Sequence, residues 1–158
     1  MKTRKLRFPA LFILTVFFLG SMGFAGRLQA QTVKPVTIES SKDFKGTLDA
    51  IKKAVSGGGM MVLAEINQGK ILSMTGLKIN AYSLFIGNPN VGNMAFSADP
   101  SVGVVIPVRV NVYEENGKVK VNYYKPSDLL AFSQNQKVKM IANKLNGKLE
   151  MMLKMIAK

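Results

Sequence analysis

Any acid, base, nucleophile or metal ligand in this sequence has to be found without histidine or cysteine, because neither occurs. Ser-His-Asp and Cys-His nucleophiles, zinc sites and histidine-held haem are thereby excluded. The nine carboxylates are scattered, and the adjacent pair Glu114-Glu115 falls at a hairpin tip, where a solvated turn is the default reading. A lysine or tyrosine base stays chemically open, although such a base needs burial that sequence does not display. Met151, Met152 and Met155 offer thioethers, which select Cu(I), but methionine on a helix beside leucines is more often core filler. Gly87 and Gly92 bracket four residues as a phosphate loop does; Asn93-Met94 stands where Lys-Ser/Thr must be, so no side chain reaches a phosphate or its cation. Gly57-Gly58-Gly59 leads from helix into strand, the reverse of a phosphate loop, and reads as a helix stop. No catalytic residue, metal or cofactor is expected, and an enzyme of unrecognised class is the less favoured reading.

What remains is a recognition surface. Asn116-Gly117 lies between two runs of alternating residues, the strongest short-range hairpin signal, because a type I′ turn needs positive φ at both central positions. With those two residues as the loop, Glu115 pairs with Lys118, Val112 with Val121, Asn111 with Asn122, Val110 with Tyr123 and Arg109 with Tyr124. Side chains alternate across a strand. Val108, Val110, Val112, Val119, Val121 and Tyr123 therefore share a core face. Arg109, Asn111, Tyr113, Lys120, Asn122 and Tyr124 share the other, with Arg109 and Lys120 each opposite a tyrosine in cation–π reach. This suits an antiparallel sheet covered on one side. The second group is the candidate binding surface for an unknown ligand or protein partner, a homodimer included.

In chain order, the elements that must position this hairpin begin with Val33 to Ser40. This stretch reads as a short strand with Val36 and Ile38 on one face, at an edge or beginning after Pro35. Ser40-Ser41-Lys42-Asp43 has the capping-box form, ahead of Phe44, Leu48, Ile51 and Val55 at helical spacing. Met60 to Asn67 is a second strand. Gln68 to Gly76 is a connector with room for a helical turn, and Leu77-Lys78-Ile79 resumes strand-like alternation. Tyr82, Leu84 and Ile86 lie on the next strand. Asn88-Pro89 and Asp99-Pro100 read as turns around an irregular segment. Pro126 ends the last strand, with Ser127 as N-cap of a short helix. A longer helix then carries Val138, Ile141, Ala142, Leu145, Leu149, Leu153 and Ile156 on one stripe.

Residues 1–30 have the form of an export signal: basic Lys2, Arg4, Lys5 and Arg7, an apolar run from Phe8, then small residues ending in Leu28-Gln29-Ala30. Cleavage after Ala30, or alternatively after Ala25, would release a periplasmic or secreted protein; a retained membrane anchor is the other outcome. Residues 31–158 are long enough for one domain. They keep 17 of the 22 basic residues and all nine acidic ones, a net charge of +8. Such a charge favours anionic partners. Interleaved Arg109, Tyr113, Lys120 and Tyr124 could stack bases, but export argues against nucleic acid, which is not an expected partner.

The helix at Phe44…Leu48…Ile51, the turn Phe85-x-Gly87-Asn88-Pro89, and Pro107 leading into VRVNVYEENGKVKVNYYKP with its Asn116-Gly117 tip together resemble the bacterial family called domain of unknown function 302, over roughly residues 36–145. The resemblance implies an α+β fold, β-α-β(4)-α and TATA-binding-protein-like, with helices on one face of an antiparallel sheet and frequent pairing into dimers. It brings no established reaction. Many members carry an Asp-His pair after the second strand; Asn67-Gln68 stands there in this chain, so a site built on that pair is not expected.

Overall fold

The structure, a computed structural model, describes residues 32–157, and the export signal read at residues 1–30 lies outside the described residues. Eleven elements succeed one another: β1 (Val36–Glu39), α1 (Phe44–Gly57), β2 (Met61–Ile66), α2 (Gln68–Ser73), β3 (Ala81–Gly87), α3 (Pro89–Ala98), a 3₁₀ turn (Pro100–Val104), β4 (Val108–Glu115), β5 (Lys118–Tyr123), α4 (Pro126–Leu129) and α5 (Gln136–Lys154). The strands form one antiparallel sheet in the order β1-β5-β4-β3-β2. This is the expected α+β class with the expected β-α-β(4)-α frame, elaborated by three short helices and the 3₁₀ turn.

The β4–β5 hairpin sets the register of the rest. Asn116 and Gly117 both have positive φ, 53° and 72°, as a type I′ turn requires. The observed pairs from Glu115↔Lys118 to Val110↔Tyr123 are those the turn predicts. Strand β3 continues the alternation, with Leu84 opposite Val110 and Ile86 opposite Val108. One face of the sheet is therefore solidly aliphatic. Against it lie Ile51 and Val55 of α1 and the stripe Val138, Ile141, Leu145 and Leu149 of α5, all buried. Ile156, just past the end of α5, completes the predicted stripe at 1% exposure. β1 is an edge strand, and it starts immediately after Pro35, where the missing N–H costs no ladder bond.

Four local expectations are corrected, each for a capping or pairing reason. Asp43, not Ser40, is the N-cap of α1: its carboxylate accepts from Gly46 N at 2.7 Å. Ser40 instead accepts from Thr47 Oγ1, a hydroxyl buried at the start of the helix. Asn88-Pro89 and Asp99-Pro100 are not turns but helix starts. Asn88 accepts from Asn90 N and Val91 N to open α3, and Asp99 accepts from Ser101 N to open the 3₁₀ turn, each with proline next at the first position. Leu77-Lys78-Ile79 joins no strand, and the ladder resumes only at Ala81. Ser127 lies inside α4 rather than capping it; Lys125 is the cap residue, and the Ser127 hydroxyl is held by Asn146 Nδ2 of α5 at 2.7 Å.

Candidate functional site: the open face of the sheet

Helices α1 and α5 leave the opposite sheet face open except at β3, where α2 lies against it through Gln68 and Ser83, and alternation dictates what that face carries. From β4 come Arg109, Asn111 and Tyr113; from β5, Lys120 and Asn122; from β3, Ala81, Ser83, Phe85 and Gly87, with the first three paired across from the β4 set. All six sequence-predicted binding residues are thus on strands or at a strand end where the register puts them. They do not form one site. Arg109, Asn111, Asn122 and Tyr124 line a cleft of about 510 Å³ at the end of the sheet where β4 begins and β5 ends. Tyr113 and Lys120 stand opposite each other near the hairpin tip, outside that cleft.

The expected cation–π pairs are also replaced. Lys120 Nζ turns to Glu115 Oε2 at 2.5 Å, because an ion pair offers the ammonium a full opposite charge. Tyr124 lies beyond the end of β5. Among the described residues the cation–π contact is Lys52 over Tyr82, 5.8 Å from the ring centroid.

At the cleft a chain of hydrogen bonds fixes Arg109. Its Nε donates to Ser83 Oγ at 3.0 Å, and the Ser83 hydroxyl donates to Gln68 Oε1 at 3.0 Å. Asn111 Oδ1 lies 3.4 Å from the same hydroxyl, and Asn111 Nδ2 donates to Asn122 Oδ1 at 3.3 Å. Ser83 is 1% exposed, so the guanidinium is anchored at its inner nitrogen by a buried group. Among the described residues no carboxylate forms an ion pair with Arg109; the lysines take those partners instead. The arginine lines the cleft together with Phe85, Pro107, Val104, Leu129 and Tyr124, which supply apolar wall.

Gln68 and Ser83 belong to this site, and reasoning on the strands alone does not single them out. Ser83 has a signal: it is a polar residue between Tyr82 and Leu84, which face the core. Gln68 has none, since its reach depends on how α2 folds back. Asn67 caps α2 by accepting from Lys70 N at 2.8 Å. The Asn67-Gln68 pair thus stands beside the polar row, with Gln68 supplying an amide where the family resemblance implies an imidazole.

The turn and hairpin motif residues also have places in the fold, Phe85 and Pro107 among them on the cleft wall. Phe85 pairs across from Arg109. A Cβ at Gly87 would meet Leu63 Cδ1 at 2.7 Å, so the leucine lies over it. Asn88 Nδ2 donates to Gly59 O at 2.8 Å, tying α3 to the end of α1. Pro107 comes after a cis peptide bond.

Other candidate chemistry stays separate. Lys45 and Lys120 are held above the ordinary lysine value by hydrogen bonds to Asp49 and Glu115. The bond to Glu65 raises the Tyr82 phenol, and burial raises that of Tyr123. All four are moved away from the deprotonated form that a base at neutral pH requires. Among the described residues no group of three or more acidic side chains could hold a metal ion. Met152 is buried with its sulfur against Gly58, while Met151 and Met155 are exposed along the α1–α5 groove. No helix among the described residues is long and apolar enough to cross a membrane.

No curated protein matches the chain. Among solved structures it is similar to one described as an uncharacterized conserved protein DUF302 from Bacillus stearothermophilus, at 23% identity and a TM-score of 0.72, with 77% of this chain and 97% of that chain covered. That likeness speaks for the fold. Residues 36–156 match the family described as Domain of unknown function DUF302, and a match over that much of the sequence means that the chain belongs to the DUF302 family.

Proposed function

We propose that this protein is an exported, non-catalytic binding domain whose open sheet face is its working surface. The observation that carries the reading is Arg109, held at Nε by the buried Ser83 hydroxyl on the wall of a cleft. A guanidinium fixed at one nitrogen has lost much of its rotamer freedom before any partner arrives, which lowers the entropic cost of binding. Tyr124, 42% exposed on the same wall, is the residue type that supplies rigid, amphipathic contact area.

A second observation favours a second copy of the chain as occupant. On β2, α2 and the segment after it, near one another along the chain, Leu63, Ile66, Ile71, Leu72 and Leu77 are all exposed, apolar surface of the kind a second copy would cover. Native mass spectrometry of the protein from its own envelope tests the binding reading. The parent is expected to carry an added mass or a second copy. The double variant Tyr113→Ala/Tyr124→Ala should lose it while its circular dichroism spectrum persists, since neither side chain belongs to the core. A variant that keeps every partner of the parent would reduce this face to plain surface.

Export rests on the tripartite form of residues 1–30. Intact-mass analysis should give a mature start at Gln31, or at Gly26 if cleavage occurs after Ala25. A species beginning at Met1 and held in the membrane would overturn cleavage.

A further inference from the structure

The chemistry of the cleft narrows what it can hold. Among the described residues Arg109 is the one charged residue that lines it. The neighbouring polar groups are the side-chain amides of Asn111 and Asn122, which are neutral and hydrogen-bonded to each other. The rest of the wall is mainly hydrocarbon and aromatic ring: Phe85, Val104, Pro107, Leu129 and Tyr124. A single guanidinium neutralises a single negative charge. It matches a carboxylate with two parallel N–H···O bonds, a geometry its planar fork is built for. A phosphate dianion would bring a second charge, and among the described residues no second cation lines the cleft. The two lysines of the hairpin are committed elsewhere, Lys120 to Glu115 and Lys118 to Glu39.

We infer that the cleft binds a small monocarboxylic acid with an alkyl or aromatic tail, its carboxylate on the Arg109 fork and its tail along Phe85, Pro107 and Leu129. This deepens the binding reading above and rests on it. Ser83 is a positioning residue: it touches Arg109, not the ligand, and fixes the guanidinium at the cleft wall. Gln68 in turn holds the Ser83 hydroxyl.

The test is isothermal titration calorimetry of the purified protein with octanoate, octanamide and inorganic phosphate. Octanoate should bind saturably at one site, with octanamide and phosphate each at least tenfold weaker. Arg109→Met keeps the stem and removes the charge at an exposed position, so it should fold; it should weaken octanoate at least tenfold and leave octanamide unchanged. Arg109→Lys should fall between the two, keeping the charge without the fork. Ser83→Ala should weaken octanoate several-fold without changing octanamide, a selectivity that general loosening of the sheet would not produce. Octanamide binding as tightly as octanoate, phosphate binding more tightly, or Arg109→Met binding octanoate like the parent would each overturn the inference. Failure here leaves the open-face reading intact if the Tyr113/Tyr124 variant still loses its native partner, so the two ideas fall separately.

Discussion

Val112→Asp and Val121→Asp are each expected to yield no folded protein. The two valines face one another in the β4–β5 register and are 0% and 1% exposed. Val112 lies between Val121 and Tyr82, whose hydroxyl is already held by Glu65, and Val121 lies between Val112 and Ile38. An unpaired carboxylate placed there costs several kcal/mol even after relaxation, set against a total stability of about 5–15 kcal/mol for a domain of this kind. Protonation relieves part of the charge cost but leaves an unsatisfied polar group and a poorer fit. Far-ultraviolet circular dichroism and a thermal melt report the outcome. Tyr124→Asp, at an exposed position just past β5, is the control and should keep the parent melting temperature within a few degrees. A soluble Val112→Asp variant melting like the parent would mean that the core lies on the other face of the hairpin.

That register is legible in the sequence because one dipeptide and one alternation determine it together. Asn-Gly demands a particular turn, the turn demands a pairing, and the pairing sorts the side chains onto two faces. The stripe of α5 is legible for the same reason: apolar positions from Val138 to Ile156 recur at one period, and every one of them is buried. Local rules with two independent signals survive tertiary context.

Helix α3 is not legible because its signals compete. Asn-Pro marks a turn as readily as it marks an N-cap with proline at the first helical position. The helix itself contains Asn90, Gly92, Asn93 and Ser97, all weak helix formers, and its buried contribution is a single alanine, Ala95. Its stability comes from the Asn88 cap, from Asn88 Nδ2 on Gly59 O, and from packing against α5, and the last two need the tertiary fold in place first. The site shows the same division. The β4 and β5 residues are legible by alternation, but separating a cleft group from a hairpin-tip pair requires knowing that Lys120 prefers Glu115. Gln68 joins the site from a helix that buries no side chain of its own, so no apolar period announces it.

Gly69→Ala is expected to detach α2 from the sheet. Gly69 occupies the second position of α2, and a Cβ built there would lie 2.2 Å from Ile79 O and 3.4 Å from Ala81 N, where real Cβ atoms stay beyond 3.0 Å. The obstacle is backbone, so no side chain can swing aside; either α2 or the segment leading into β3 has to move. Alanine would otherwise favour the helix by roughly 1 kcal/mol over glycine, which makes the sign of the effect diagnostic. Overpacking of this kind costs about 1–3 kcal/mol. Because α2 contributes no buried residue, the loss should be local rather than global. Amides of residues 68–80 should lose hydrogen-exchange protection while those of β4 and β5 keep theirs. The Gln68–Ser83 bond goes with α2, so the Arg109 fork loses its outer support. Gly147→Ala provides the contrast: nothing lies within 4 Å of its Cβ position on α5, and the same change there should raise the melting temperature. If Gly69→Ala leaves exchange at residues 68–80 unchanged and melts no lower than the parent, then α2 is not seated against Ile79, and the chain of contacts from Gln68 through Ser83 to Arg109 does not hold in solution.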